Sequence, residues 1–493
     1  MLEDGQGRLE QTGLEAEVRR NVPESATAVG FALSATPRLA VAGLDDFLFG
    51  RAPRPLDCGR GLEIGKGQVI PEVNFTLPPI EINEQNWQEI RKQYAEMIEG
   101  VCQRAVELEV PGLLVEFETL PEMTTKPEWG LEITSVLAET LSRFHDSRGL
   151  KTALRLTPND TREMRRPPLM RKGEYWDGML KFFDGAGKAG ADLLSIESTG
   201  GKEVSDEALL NVDLRVLVFA LGVLAARDMQ FLWQVMVAAC RDSSVTPAGD
   251  TACGFANTAM VLAEQSLVPR VFAALVRVAA VPRSLVAYEM GAVGPSKDCA
   301  YEGPYMKAIA GVPISMEGRT AACAHLSHVG NIAQAVCDCW SNESVQNVRL
   351  LSTFAPTVSL EQLAYDCRLL NTAARDGEDG VRRLRDWLVE SDAVRDPQAW
   401  VLRPDVVLRI SKQIVEEHTC YRQTRRAILA ALAEIKSAHD AGQLRIPARE
   451  VKWLGKLQRD AEALPDREEE LLQEVLGTAL AAKFLPESYG LDV

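Results

Sequence analysis

The sequence predicts an α/β fold: a (β/α)8 TIM barrel with N-terminal and C-terminal helical extensions. Three observations predict it. The chain has 493 residues, 46% of them apolar, which is enough for a barrel of roughly 250 residues and additional helices. Strand-like and helix-like patterns alternate through its middle, the order that builds a parallel sheet. Polar residues recur where those strands end, and barrels carry their chemistry there. An open doubly wound sheet is the second choice.

The elements follow in order. Residues 1–43 are polar with a weak helical pattern and read as an extension before a barrel over 44–375. Leu44 to Asn74 is rich in Gly and Pro and reads as loop with short turns. Glu84–Leu108 is a long amphipathic helix, and "GLLVEFET" (Gly112–Thr119) is a buried strand. Leu131–Arg148 is helical, "KTALRLT" (Lys151–Thr157) a strand, Tyr175–Gly190 helical and "ADLLSIES" (Ala191–Ser198) a strand. Two helical stretches lead to a strand running into "AGDTAC". A helix over Ala256–Val278 then precedes "RSLVAYE" (Arg283–Glu289), which reads as a further strand. From about Asp376 to the end, charge-dense helical patterns form a C-terminal extension, 376–493.

Net charge is −16 and the pI is near 5.0, with no stripe of Lys and Arg. That argues against nucleic acid and against anionic membrane surfaces. The longest apolar run, "VLVFALGVLAA" (Val216–Ala226), falls short of the roughly 18 to 20 residues that span a bilayer. The first twenty residues are charged and lack an apolar signal core, so a cytoplasmic protein is expected. Ten cysteines are spread along the chain, which suggests reduced thiols or a metal site rather than a disulfide framework.

Several polar residues fall at strand ends: Glu116 and Glu118, Arg155, Glu197, Asp250 with Cys253, and Glu289 followed by Cys299. In a barrel these face one mouth. Glu197, Cys253 and Cys299 offer one oxygen and two sulfurs, a set suited to zinc with a fourth position open. They lie 56 and 46 residues apart with no compact motif, and from spacing alone ordinary buried cysteines are the better reading of the two sulfurs. Glu116, Glu118 and Asp250 are the acid candidates. Their alternative is structural: carboxylates at strand ends also bind loop N–H groups or a partner such as Arg155. The denser cluster "CAHLSHVGNIAQAVCDC" (Cys323–Cys339) lacks zinc-finger spacing and reads as helix core. No G-x-x-x-x-G-K-S/T loop and no G-x-S-x-G elbow is present.

Taken together, "GLEIGKGQVIPEVNF", "ADLLSIESTGGKEV", "AGDTACGFANTAM", "PRSLVAYEMGAVGPSKDC", "KAIAGVPISMEGRTAACAH" and "CDCWSNES" resemble the zinc-containing subunit of methanol:corrinoid methyltransferase. The resemblance runs from about residue 44 to about 420, and both chain ends look longer than that family's. It implies a TIM barrel working beside a separate corrinoid protein, and dimerisation through this subunit. It also implies Zn²⁺ on Glu197, Cys253 and Cys299, the trio already picked out at the strand ends. The implied reaction moves the methyl group of methanol to cobalt(I) of the corrinoid. Hydroxide leaves poorly, so a Lewis acid on the oxygen and a nearby acid would both help. No D-x-H-x-x-G corrinoid signature occurs here, so the corrinoid is expected on the partner. The same chemistry on another donor, such as a methoxylated compound, and a catalytically silent scaffold barrel are the alternatives.

Overall fold

The computed structural model of the protein describes residues 39–75, 81–297, 301–342 and 348–491. An antiparallel hairpin comes first, β1 (Arg51–Cys58) and β2 (Leu62–Lys66). Seven parallel strands follow: β3 (Ile70–Phe75), β4 (Leu113–Glu118), β5 (Thr152–Thr157), β6 (Leu193–Leu194), β7 (Thr246–Pro247), β8 (Ser315–Glu317) and β9 (Cys339–Asn342). Their order in the sheet is β7-β6-β5-β4-β3-β9-β8.

The segment 293–296 joins the two edges of that sheet. Val293 donates its N–H to the Pro247 carbonyl at 2.9 Å, and Ser296 exchanges backbone bonds with Pro313 and Ser315 at 2.9 and 2.8 Å. This short stretch takes the sixth place in chain order and closes an eight-membered ring. The predicted barrel is therefore the observed fold. Helices cross between successive strands: Trp87–Glu107, Pro127–Arg148, Glu174–Ala186, the run Leu214–Ser243, Arg270–Glu289, Gly303–Ala310, and Ala355–Arg375 after β9.

The expected strand Arg283–Glu289 is instead the end of the helix Arg270–Glu289. Every residue from Val271 to Ala287 is buried, because helices from the C-terminal region, chiefly Cys420–Asp440, cover its outer side. A helix apolar all round shows no 3.6-residue stripe, and its last turn then reads as a strand. Two apolar runs, Leu214–Ser243 and Arg270–Glu289, are long enough to cross a membrane, yet 78% and 94% of their most apolar windows are buried inside the protein.

Two further readings are corrected. The stretch from Leu44 to Asn74 holds the hairpin and β3 rather than loop alone. Leu62 and Ile64 on the hairpin pack with Ile70, Leu114, Ala153, Leu193, Ala248 and Cys339, so it plugs the bottom of the barrel. Its glycines mark positive φ (Gly59, Gly61, Gly65, Gly67) inside and beside strands, which disguised them. Cys323–Cys339 is helix only at its start; it passes through a short turn, Ile332–Val336, to the last barrel strand. Cys323 is exposed while Cys337 and Cys339 are buried.

Along the barrel axis the interior changes character. The bottom layer is apolar. Above it Arg155 binds Glu72 at 2.8 Å, Ser195 at 3.0 Å and the Pro295 carbonyl at 2.9 Å. The layer at the C-terminal ends is charged: Glu116, Glu118, Glu197 and Lys297.

Candidate active site

Glu197 follows β6 on a loop that leads into the helix Lys202–Asn211. Buried charges hold that loop from below. Arg162, fully buried, makes paired 2.8 Å bonds to Asp160 and to Asp228. Asp160 accepts from the Thr199 N–H and hydroxyl at 2.8 and 2.9 Å, and Asp228 accepts from the Ser198 hydroxyl at 2.8 Å. The glycines of "STGGKE" are required by this packing. A Cβ on Gly200 would overlap the Asp228 side chain, and Gly201 sits at φ 81° against the Ala220 carbonyl. Glu197 itself is left reaching into the mouth with its side chain 27% exposed.

Cys253 opens the helix Cys253–Glu264. Its turn is fixed from behind by the helix that sequence reading took for a strand. Arg283 donates to Asp250 at 3.1 Å and to the Ser198 carbonyl at 3.2 Å, and Asp250 accepts the Ser198 N–H at 3.2 Å. Glu302 accepts the Ala252 N–H at 2.7 Å and the Ser284 hydroxyl at 2.8 Å. The Glu197 and Cys253 loops are thus pinned to each other through Asp250 and Arg283. Burial pushes the Asp250 carboxyl up to about 7 against the pull of Arg283.

The Cys253 sulfur lies 3.2 Å from the Thr251 hydroxyl. A cysteine thiolate and a carboxylate such as Glu197 are donors that suit Zn²⁺. Helix N-termini also favour the thiolate form. Cys299 lies outside the described residues. The chain two residues before it is at the mouth, because Lys297 Nζ is 2.6 Å from Glu197 Oε1.

Lys297 was not singled out from the sequence. It also lies 3.3 Å from Glu116 Oε1 and 3.3 Å from Glu118 Oε2, with its side chain 4% exposed. It thus takes the place that Arg155 was expected to fill; Arg155 pairs with Glu72 one layer below. Burial lowers the affinity of Lys297 for its proton, but Glu116, Glu118, Glu197 and Glu317 outweigh that and hold its pKa well above the ordinary value. Glu116 is buried and accepts the Thr157 hydroxyl at 2.6 Å. Burial pushes its carboxyl up to about 7, with Lys297 opposing. Glu118 is partly exposed and within 3.5 Å of the Asn74 amide. Glu289 ends the helix Arg270–Glu289 and is exposed.

One more group has ligand-type atoms within 4.8 Å of each other: Glu264, His328 and Asp396. Arg270 stands between its two carboxylates at 2.8 and 3.4 Å, so ion pairing already accounts for the grouping.

Comparison with known proteins decides the family. The profile described as "MtaB: Methanol-cobalamin methyltransferase B subunit" matches residues 34–490. The chain belongs to that family. The match reaches the last helices, so the C-terminal stretch is part of the family chain and not an added end. The curated methanol–corrinoid protein co-methyltransferase of Methanosarcina barkeri (strain Fusaro / DSM 804) is 37% identical over 458 residues, 92% of this chain and 98% of that protein. The crystal structure of the methanol:cobalamin methyltransferase complex MtaBC from Methanosarcina barkeri superposes with a TM-score of 0.87 at 35% identity, covering 94% of this chain and 100% of that one. The protein is a methyltransferase B subunit with a barrel fold.

Proposed function

We propose that the protein transfers the methyl group of methanol to cobalt(I) of a corrinoid carried by a separate protein, with zinc held by Glu197, Cys253 and Cys299. The supporting observation is that the Glu197 loop and the turn carrying Cys253 are pinned to each other through Asp250 and Arg283, and that Lys297, two residues before Cys299, bonds Glu197 at the same mouth at 2.6 Å. Bound zinc would supply Lewis acidity toward the alcohol oxygen.

The other parts of the chemistry fall to the protein's side chains. In the transfer the methyl–oxygen bond breaks, the carbon goes to cobalt, and the oxygen leaves as water after gaining one proton. Glu116 is the proton source we assign, since burial keeps its carboxyl protonated up to about 7. Asp250 bonds to Arg283 and to the Ser198 N–H and serves to position the two ligand loops. The mouth is left open by Glu118 and Glu197, both partly exposed, and that is where the corrinoid protein would dock. Homodimerisation and a cytoplasmic location, both expected from the sequence, are part of this proposal; sedimentation of the purified chain tests the first.

The test is zinc content alongside methyl transfer to reduced corrinoid protein from a small panel of donors. Cys253→Ala, Cys299→Ala and Glu197→Gln are each expected to lose zinc and activity. Full zinc retained in both cysteine variants would sink the ligand assignment. Transfer from methoxylated compounds but not from methanol would move the substrate.

A further inference from the structure

Lys297 is not among the metal donors, yet among the described residues it is a cation at the mouth on which carboxylates converge. Three carboxylates from two different strand ends converge on its ammonium: Glu197 Oε1 at 2.6 Å, Glu116 Oε1 and Glu118 Oε2 both at 3.3 Å. Glu317, also buried, adds its field from β8. A cluster of carboxylate oxygens around one point is what hard divalent cations such as Mn²⁺, Mg²⁺ and Ca²⁺ take. On the zinc assignment above, a second cation position lined by oxygens alone adjoins the zinc site, and Glu197 belongs to both.

The geometry points to Lys297 as a metal-selectivity residue: its ammonium occupies the all-oxygen position and holds Glu197 Oε1 there, so that a divalent ion would be confined to the zinc site. This rests on the zinc assignment of Glu197, Cys253 and Cys299. A lysine suits the task because its charge is compact and offers three donors, one for each acid, and because it cannot exchange with ions in solution.

The experiment uses the full-length zinc-loaded protein and three variants: Lys297→Met, Lys297→Arg, and Lys297→Met combined with Glu118→Gln. Each is incubated with Mn²⁺, desalted and assayed for zinc and manganese, with thermal melts in parallel. The parent and Lys297→Arg should keep zinc and retain no manganese. Lys297→Met should gain about one Mn²⁺ per chain and melt higher in its presence, and the double variant should bind it about tenfold more weakly. If Lys297→Met folds only when Mn²⁺ is supplied, the ion has replaced the ammonium and the proposal stands. A folded Lys297→Met that retains no manganese overturns it. So does equal retention by Lys297→Arg, or a Lys297→Met protein that stays unfolded with Mn²⁺. A parent free of zinc would instead defeat the ligand assignment, while the manganese comparison stays readable.

Discussion

Glu116 and Lys297 show how a single side chain gains a role from its surroundings. Glu116 is a carboxyl whose ordinary affinity would leave it ionised at neutral pH. Burial raises it to about 7, and Lys297 at 3.3 Å limits the rise. The sign of the pH effect follows. The carboxyl holds its proton below about 7 and loses it above, so a step that draws on that proton slows as pH rises through about 7. Methyl transfer measured from about pH 6 to about pH 8 should decline toward the alkaline side. In Glu116→Gln the rate should drop by about 10²-fold and the decline near 7 should vanish. A variant with the parental rate and the parental profile would place the proton source elsewhere.

At the scale of elements, the two ligand loops differ in how much of them the sequence discloses. Glu197 and Cys253 were legible because each follows a stretch that reads as strand, and strand ends are where a barrel places its chemistry. What holds them was not. Arg162, Asp228 and Arg283 come from a loop and two long helices, and nothing in their local sequence says that they meet. The sixth barrel strand was missed for a related reason: 293–296 contains Gly294 and Pro295 and is only a few residues long, while the all-apolar helix before it imitated a strand. The loop after β6 gives a direct test. Gly200→Ala forces a methyl against Asp228, so either the loop or the Asp228–Arg162 pair must move. We expect a loss of about 1–3 kcal/mol in stability, read by denaturant melts, and faster zinc release to a chelator. Parental zinc retention at parental stability would mean that the loop tolerates the displacement and that the tight packing does not set the position of Glu197.

For the whole molecule, the C-terminal region completes the barrel rather than trailing from it. Helices from 397 to 440 cover Arg270–Glu289, which carries Arg283 to the ligand loops. The last described residues return to the same place. Phe484 packs on Phe219 with ring centroids 5.5 Å apart, and Tyr489, 2% exposed, receives the Gly201 N–H on its hydroxyl at 3.1 Å. Gly201 lies four residues past Glu197, so the chain end braces the loop that carries a proposed ligand. Removing the hydroxyl leaves a buried N–H without its partner, a cost of about 1–3 kcal/mol. Tyr489→Phe should therefore melt lower and release zinc faster, and truncation after Lys483 should do both more strongly, because Phe219 then loses its cover too. The readout that separates bracing from bulk stability is zinc release compared at temperatures equally far below each melting point. Bracing predicts that the difference persists there, and if it disappears the chain end supports only the fold.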